Sequence, residues 1–237
     1  DKIESEGLGL SLLLFKQQQA RDYFPIWKFY EIEGVKEQQE APVNGRWDVD
    51  FQIPEVKAAL YAYMEAVLER YSNRPNLLLY NVWNEPHYYS ESERNIARFR
   101  DWLKQRYGTL DRINRVWDDD YTDWDQISPL LDDNYESSMP DIDWMIYKDD
   151  LVAELVEELK QVVRKHDARR PVNANPVGGL FMDPARPSQW VIDEWAAADA
   201  NDIHGISYYP NFWERELNEN QLAPFYRHNF VFNTLRC

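Results

Sequence analysis

The 237-residue chain has a single cysteine, Cys237, which is its last residue. An intrachain disulfide and a metal cluster held by several thiolates are therefore excluded. A single cysteine is compatible with a cytoplasmic, a periplasmic or a secreted protein, so the location stays open. Basic residues are also few, since 26 Lys and Arg stand against 42 Asp and Glu, giving a formal net charge of −16. Nucleic acids and anionic membrane surfaces are bound through basic patches, so we expect neither as a partner. No apolar run reaches the length of a membrane-spanning helix.

Several common catalytic and cofactor motifs are absent as well. The chain has no H-E-x-x-H, no G-x-S-x-G and no P-loop, and its four histidines stand apart in the sequence. Gly7 and Gly9 precede an apolar segment and lack the third glycine of a dinucleotide-binding turn. The acidic run over residues 118–125 lacks the spacing and the glycine of a calcium-binding loop, so we interpret it as a solvated loop. We therefore expect neither a metal nor a cofactor.

Aromatic residues are abundant and make up 15% of the chain, including 10 Trp and 15 Tyr. The C–H faces of sugars stack on such rings, and sugar hydroxyls bond to carboxylates and amides. An acidic chain rich in aromatics therefore favours a cleft for neutral sugars.

Four short apolar segments, residues 8–15, 77–83, 171–176 and 203–209, are predicted to be strands of a parallel sheet. Apolar residues at helical spacing predict helices between them, including one that starts from a capping box at Ser90 and Glu93 and another over about 143–166. This alternation is typical of α/β proteins, and polar residues follow the strands as they do at the active face of a (β/α)8 TIM barrel. A complete barrel takes about 250 residues. Because long loops occupy part of this chain, we predict an incomplete barrel forming one domain over residues 1–237.

Glu85 is the strongest catalytic candidate. It directly follows the second strand and lies between Asn84 and Pro86, next to Trp83. A carboxyl group beside an indole ring at a strand end is partly removed from water, which suits a general acid for a glycosidic oxygen. Asn84 is then a donor to a sugar hydroxyl, and Trp83 part of the same sugar site. The alternative is an ordinary solvated glutamate in a loop.

Three further positions are candidates for the substrate site. His87 belongs to an aromatic stretch that can line a sugar subsite or pack as an ordinary loop. Asn173 and Asn175 lie two residues apart, so both side chains point to one side of the third strand. There Asn175 can hold a substrate hydroxyl or cap the following turn. Tyr209 ends the fourth strand, where its phenol can keep a carboxylate ionised or pack in the core.

Three passages together resemble the clan A glycoside hydrolases, and most of all the β-galactosidases of family 42. The strand end over residues 80–86, Tyr-Asn-Val-Trp-Asn-Glu-Pro, resembles the fourth-strand Asn-Glu signature of the clan. The stretch over residues 99–117, followed by residues 121–129, is similar to the segment after the acid in family 42. Residues 171–175 and 206–210 lie where the fifth and sixth strands of that family would lie.

The resemblance implies a (β/α)8 barrel, of which this chain would supply about strands three to six, and hydrolysis with retention of configuration. It makes Glu85 the acid/base, Asn84 its partner for the sugar 2-hydroxyl and Tyr209 a support for the nucleophile. Arg46 matches a substrate-binding arginine in the loop after the third strand. The nucleophile of the family is a glutamate on the seventh strand, which we expect beyond the C-terminal end of this chain. The implied substrate is an oligosaccharide or other β-glycoside, first of all a β-galactoside.

Two alternatives remain open at this stage. Trp-Asn-Glu-Pro is closer to other clan A families, so an enzyme of the β-mannosidase or endo-glucanase type is one alternative. A chain without the nucleophile is instead a non-catalytic carbohydrate-binding protein or a truncated paralogue. An incomplete barrel also exposes sheet edges, which makes pairing with a second copy, as a homo-oligomer, an expectation to test.

Overall fold

The computed structural model describes residues 2–15, 53–86, 92–129, 138–176 and 193–207. Within these ranges the chain forms six α-helices, three strands and one short 3₁₀ turn. In chain order the elements are α1 (Lys2–Ser5), β1 (Leu10–Leu13), α2 (Pro54–Tyr71), β2 (Leu77–Asn84), α3 (Glu93–Tyr107), α4 (Leu110–Trp117), the 3₁₀ turn (Trp124–Gln126), α5 (Met139–His166), β3 (Val172–Asn175) and α6 (Glu194–Ala200).

The three strands form one parallel sheet in the order β1-β2-β3. Each pair of neighbouring strands is connected through helices, as parallel pairing requires. The carboxyl ends of the strands therefore lie along the same edge of the sheet. This arrangement agrees with the predicted α/β architecture and brings the polar residues that follow the strands together.

The segment after α6 runs alongside β3 without forming a regular strand. Asp202 donates its backbone N–H to Val172 O at 2.9 Å, and Ser207 donates to Pro176 O at 2.7 Å. Between these points the Asn201 side chain bonds both the N–H and the C=O of Ala174, at 2.7 and 3.2 Å. The strand predicted over 203–209 is therefore reduced, in its described part, to a single bridge at Ser207, because an amide side chain takes the ladder bonds of β3.

Strand β2 contains a β-bulge that changes which side chains share a face. Against β3, Asn81 pairs with Asn173 and Trp83 pairs with Ala174, so β2 advances two residues while β3 advances one. The extra residue, Val82, shifts the side-chain alternation by one position. A second irregularity of the same kind lies at the start of β2, against β1.

One face of the sheet is covered by helices α2, α5 and α6, and the main core lies between the two layers. Helix α2 turns an apolar stripe towards this core, and so does the second half of α5. The buried members of these stripes are Val56, Leu60, Met64, Leu68, Leu151, Leu155, Leu159 and Val162. The long α5 is thus the central helix of the covering layer. Within the described residues, no helix is long and apolar enough to cross a membrane.

Two helix starts differ from their predicted positions. Helix α3 begins at Glu93 with Ser92 as its N-cap, whose hydroxyl accepts from Asn95 N at 3.3 Å, so the cap predicted two residues earlier is wrong. Helix α5 begins at Met139, four residues before the prediction, because Ser138 caps it and a proline follows in the first turn. In both cases a serine hydroxyl satisfies a free N–H of the first turn.

A charged cluster holds the turn before β3 against the turn between α2 and β2. The Arg170 guanidinium donates to three backbone carbonyls, those of Ser72, Arg74 and Leu77, at 2.7 to 2.9 Å. It also bonds Asp167 Oδ2 at 2.6 Å, and the same oxygen accepts from the Tyr80 hydroxyl at 3.0 Å. One planar side chain thereby ties the end of α2, the following turn and the start of β2 together through their backbone carbonyls.

Candidate active site

The backbone of Asn84 and Glu85 is bonded to both neighbouring strand ends. Asn84 donates its N–H to Phe15 O, and Glu85 donates its N–H to Asn175 O, each at 2.9 Å. Residue 85 is therefore fixed at the carboxyl edge of the sheet, between the end of β1 and the end of β3. In open and closed α/β sheets this edge is where ligands and catalytic groups lie.

Glu85 has a strained backbone and a buried side chain. Its φ angle is +52°, in the left-handed region that costs a non-glycine residue about 1 kcal/mol or more. Among the described residues the other non-glycine with positive φ is Asp118, which ends helix α4, a common use of this conformation. Glu85 ends no helix, and only 6% of it is exposed. Strain and burial together at a strand end are typical of a functional position.

Three asparagines and a serine form a hydrogen-bonded network beside Glu85. Asn175 Nδ2 donates to Asn84 Oδ1 at 3.3 Å and to Ser207 Oγ at 2.6 Å. Asn175 Oδ1 accepts in turn from Asn81 Nδ2. The network joins two strands and the segment that follows α6, so it connects parts of the chain that are far apart in sequence.

Asn175 lies on the same face of β3 as Asn173, as the alternation predicts. Val172 and Ala174 are buried on the helix side, whereas the two asparagines between and after them are partly exposed on the other side. On β2 the bulge brings Asn81 and Asn84 to this second face, since they pair with Asn173 and Asn175. The polar face next to Glu85 is therefore rich in amide groups.

Trp83 occupies a different environment from the one that the sequence suggested. Its side chain is 1% exposed and its ring lies 5.7 Å from the Phe15 ring. Together with Leu60, Leu155 and Leu159 it borders a small cavity between the sheet and helices α2 and α5. Trp83 therefore packs in the core, because the bulge turns it towards the helices, and we do not retain it as a substrate contact.

The other predicted site residues fall into two groups. Glu85, Asn84 and Asn175 are brought together at the strand ends, whereas Arg46, His87 and Tyr209 lie outside the described residues. Sequence reasoning missed Asn81 and Ser207. A signal for Asn81 was present, because an asparagine in the middle of the otherwise apolar segment 77–83 is unusual for a buried strand.

The described residues contain no group of three or more His, Cys, Asp or Glu side chains placed to hold a metal ion. The polar groups next to Glu85 are amides and a hydroxyl. Such groups bind neutral hydroxylated ligands through hydrogen bonds and impose no net charge on them. The arrangement is suited to a sugar.

Comparison with known proteins identifies the family. The sequence model of the glycoside hydrolase family 42 β-galactosidases matches residues 24–236. The β-galactosidase BglY of Alicyclobacillus acidocaldarius is 26% identical over 221 residues, which cover 88% of this chain and 30% of the relative. The β-galactosidase BgaB of Geobacillus kaustophilus is 27% identical over 146 residues, which cover 58% of this chain and 21% of the relative.

Solved structures show the same fold. A catalytic mutant of Gan42B, a family 42 β-galactosidase from G. stearothermophilus, superposes with a TM-score of 0.75 at 21% identity, covering 98% of this chain and 34% of that one. The β-galactosidase from Rahnella sp. R3 gives a TM-score of 0.72 at 22% identity, with coverages of 91% and 31%. A family 42 exo-carrageenase from Bacteroides ovatus gives 0.64 at 23%, with coverages of 84% and 28%.

These relatives confirm the predicted incomplete TIM barrel, because this chain spans about a third or less of the length of each of them. The family model covers most of the chain, and its range, residues 24–236, includes β2, β3 and the Asn-Glu strand end. The superposition on Gan42B covers 98% of the chain. The chain therefore belongs to glycoside hydrolase family 42, the β-galactosidase family.

Proposed function

We propose that the protein containing this chain hydrolyses β-galactosides with retention of configuration, and that Glu85 is its general acid/base. The proposal treats residues 1–237 as part of one catalytic domain. The nucleophile is a glutamate of the seventh strand, which follows the strands described here in the order of the barrel. The family membership supports the reaction class, and the environment of Glu85 supports the residue assignment.

The observation that carries the assignment is the position of Glu85. It is a buried carboxylic acid on a strained backbone, bonded to the end of β3 and adjacent to the amide of Asn84. A strained conformation is kept where the surrounding structure over-determines it, and functional sites are where this occurs most often. The two backbone bonds of residues 84 and 85 hold the group still, which a positioned proton donor requires.

The chemistry proceeds in two displacements. In the first, Glu85 gives its proton to the glycosidic oxygen, the bond from the anomeric carbon to that oxygen breaks, and the nucleophilic carboxylate bonds to the anomeric carbon. In the second, the Glu85 carboxylate takes a proton from a water molecule, whose oxygen attacks the anomeric carbon and displaces the nucleophile. Asn84 bonds the 2-hydroxyl of the sugar, an interaction that strengthens in the transition state.

Three residues outside the described ranges complete the proposal. We assign Arg46 and His87 as substrate contacts and Tyr209 as a support that keeps the nucleophile ionised. These assignments rest on the resemblance of the motifs to family 42. They are tested by alanine variants at each position, which are expected to raise KM for Arg46 and His87 and to lower kcat for Tyr209.

The test of the acid/base role uses Glu85→Gln in the full-length protein. Loss of the acid is expected to lower kcat about 10²- to 10⁴-fold for lactose, whose leaving group needs protonation. The first displacement with 2,4-dinitrophenyl β-galactoside is expected to change far less, because that leaving group departs without a proton. Azide, which attacks without a general base, is expected to restore turnover of this substrate and to yield the β-galactosyl azide, the product of retention.

Glu93→Gln is the matched control, since Glu93 is an exposed glutamate at the start of α3. It is expected to keep wild-type kinetics with both substrates. Equal losses of kcat/KM, which reports the first displacement, for lactose and the dinitrophenyl substrate in Glu85→Gln, or no loss for either, would remove Glu85 from the mechanism. A product of inverted configuration in nuclear magnetic resonance spectra of the wild-type reaction would reject retention.

A panel of 4-nitrophenyl glycosides tests the sugar. We expect the β-galactoside to be hydrolysed with the highest kcat/KM, ahead of the β-mannoside and β-glucoside. Carrageenan oligosaccharides belong in the panel because one structural neighbour is named for them. A preference for one of these other substrates would leave the family assignment intact but would replace the β-galactoside as the proposed substrate.

A further inference from the structure

We propose that Asn175 and Asn81 are positioning residues, which together orient the side-chain amide of Asn84 towards the substrate. The inference builds on the proposed function, because it concerns how Asn84 meets the sugar. It replaces the predicted direct contact of Asn175 with the substrate. We use the name amide relay for Asn81, Asn175 and Asn84.

The relay is fixed by the donors and acceptors that each amide uses. One amide NH₂ group has two hydrogens, and Asn175 Nδ2 gives them to Asn84 Oδ1 at 3.3 Å and to Ser207 Oγ at 2.6 Å. Its Oδ1 accepts from Asn81 Nδ2. Turning the Asn175 amide over alone would place its NH₂ against the NH₂ of Asn81, so the orientation of Asn175 follows that of Asn81.

The orientation of Asn175 decides that of Asn84. Because Asn175 donates to Asn84 Oδ1, the oxygen of Asn84 is occupied and its NH₂ group is directed away from β3. No described residue bonds Asn84 Nδ2 in the structure, so this donor is available to a ligand at the strand ends. A donor there bonds the oxygen of a sugar hydroxyl and leaves the hydroxyl hydrogen for an acceptor elsewhere.

Asn81 is kept in the strand at a cost to stability. Its Oδ1 is buried and has no hydrogen-bond partner among the described residues. A buried acceptor without a partner is destabilising, and an apolar side chain would suit the middle of this strand better. What Asn81 contributes is the donor that sets Asn175, and the β2 bulge is what places Asn81 and Asn84 on the same face.

The test is Asn175→Asp, which preserves size, replaces the donor by an acceptor and adds one negative charge. An aspartate here still accepts from Asn81 Nδ2 and from the Ser207 hydroxyl, so its environment remains satisfied. It also accepts from Asn84 Nδ2, which turns the Asn84 amide over and presents Oδ1 to the substrate. Loss of one oriented hydrogen bond in the transition state is expected to lower kcat/KM for 4-nitrophenyl β-galactoside about 10- to 100-fold.

Comparison with a 2-deoxy substrate distinguishes the relay from a merely structural role, which would not change the ratio of kcat/KM for the two substrates. Because 4-nitrophenyl 2-deoxy-β-galactoside lacks the hydroxyl that Asn84 bonds, its kcat/KM is expected to change less than about threefold in Asn175→Asp. The added charge near Glu85 would affect both substrates alike, and so would a distorted fold. In an Asn84→Ala background, Asn175→Asp is expected to leave the ratio of kcat/KM for the two substrates unchanged.

Asn173→Asp is the matched control, since Asn173 lies on the same face of β3 and makes no bond to Asn84. It is expected to keep the wild-type ratio of kcat/KM for the two substrates. A wild-type ratio in Asn175→Asp, equal losses for both substrates, or a further change of the ratio in the Asn84→Ala background would each overturn the relay.

A second measurement separates failure of the relay from failure of the proposed function. A wild-type protein that hydrolyses no glycoside contradicts the function, and calorimetric binding of galactose and 2-deoxygalactose then tests the relay. Loss of the preference for galactose in Asn175→Asp would support it. An unchanged preference, or no binding of either sugar by the wild type, would overturn it.

Discussion

Replacing Asp167 with asparagine is expected to destabilise the protein at neutral pH and to have a smaller effect in acid. Asp167 precedes β3, and its side chain is 7% exposed. It accepts from the backbone N–H groups of Arg169 and Arg170 at 3.0 and 3.2 Å, from the Arg170 guanidinium and from the Tyr80 hydroxyl. Burial alone would raise the pKa of this carboxyl, but the hydrogen bonds from Arg169 and Arg170 outweigh it and lower the pKa to about 2.

The size of the effect follows from the difference between the folded and unfolded states. An unfolded aspartate has a pKa near 3.8, so the shift to about 2 corresponds to about 2 kcal/mol of stability. Because the pKa is lower in the folded state, this contribution is present above pH 4 and is lost as the pH falls from about 4 to about 2. The amide introduced by Asp167→Asn does not titrate, and its NH₂ group would face the Arg170 and Tyr80 donors. The variant should therefore lose about 2 kcal/mol at pH 6 and about half of that at pH 3.

The assay is urea unfolding followed by tryptophan fluorescence at both pH values. Asp120→Asn is the control, because Asp120 is an exposed aspartate in the loop after α4. It should change the free energy of unfolding by less than about 0.5 kcal/mol at either pH. A loss in Asp167→Asn that is the same at pH 6 and pH 3, or one below about 0.5 kcal/mol at pH 6, would refute the reasoning.

Two further predictions concern buried residues of the helical layer and of β2. Asp149 of α5 is buried, and burial raises its pKa to about 8, so the folded state disfavours the carboxylate and stability falls as the pH rises from about 4 to about 8. In thermal unfolding, Asp149→Asn should therefore be more stable than the wild type by at least about 2 kcal/mol at pH 8 and equal to it near pH 4. A gain in stability that does not depend on pH would contradict its origin in the raised pKa of Asp149. Trp83→Phe should lose about 1–3 kcal/mol through incomplete filling of the core, while KM for the β-galactoside stays within about twofold. A large rise in KM without loss of stability would restore Trp83 to the substrate site.

Hydrophobic periodicity alone predicted the parallel sheet and its helical layer. Apolar strands separated by helical stripes have few other ways to bury their surfaces. The same local rule placed Asn173 and Asn175 on one face, because β3 pairs regularly and strict alternation holds there. The position of Glu85 directly after an apolar strand was also readable, since the carboxyl ends of parallel strands share one edge.

The environment of the side chains on β2 was decided by pairing between strands. Simple alternation puts Asn81 and Trp83 on one face and Asn84 on the other, but the bulge at Val82 moves Trp83 into the core and joins Asn81 with Asn84. A bulge forms through the register with a neighbouring strand, which no local propensity encodes. The contact of Asn175 with Ser207 and the left-handed backbone of Glu85 likewise exist only once β3 and the segment after α6 lie beside β2. Local sequence patterns thus specify which elements form and where Glu85 lies along the chain, whereas the packing of those elements decides which amides surround it.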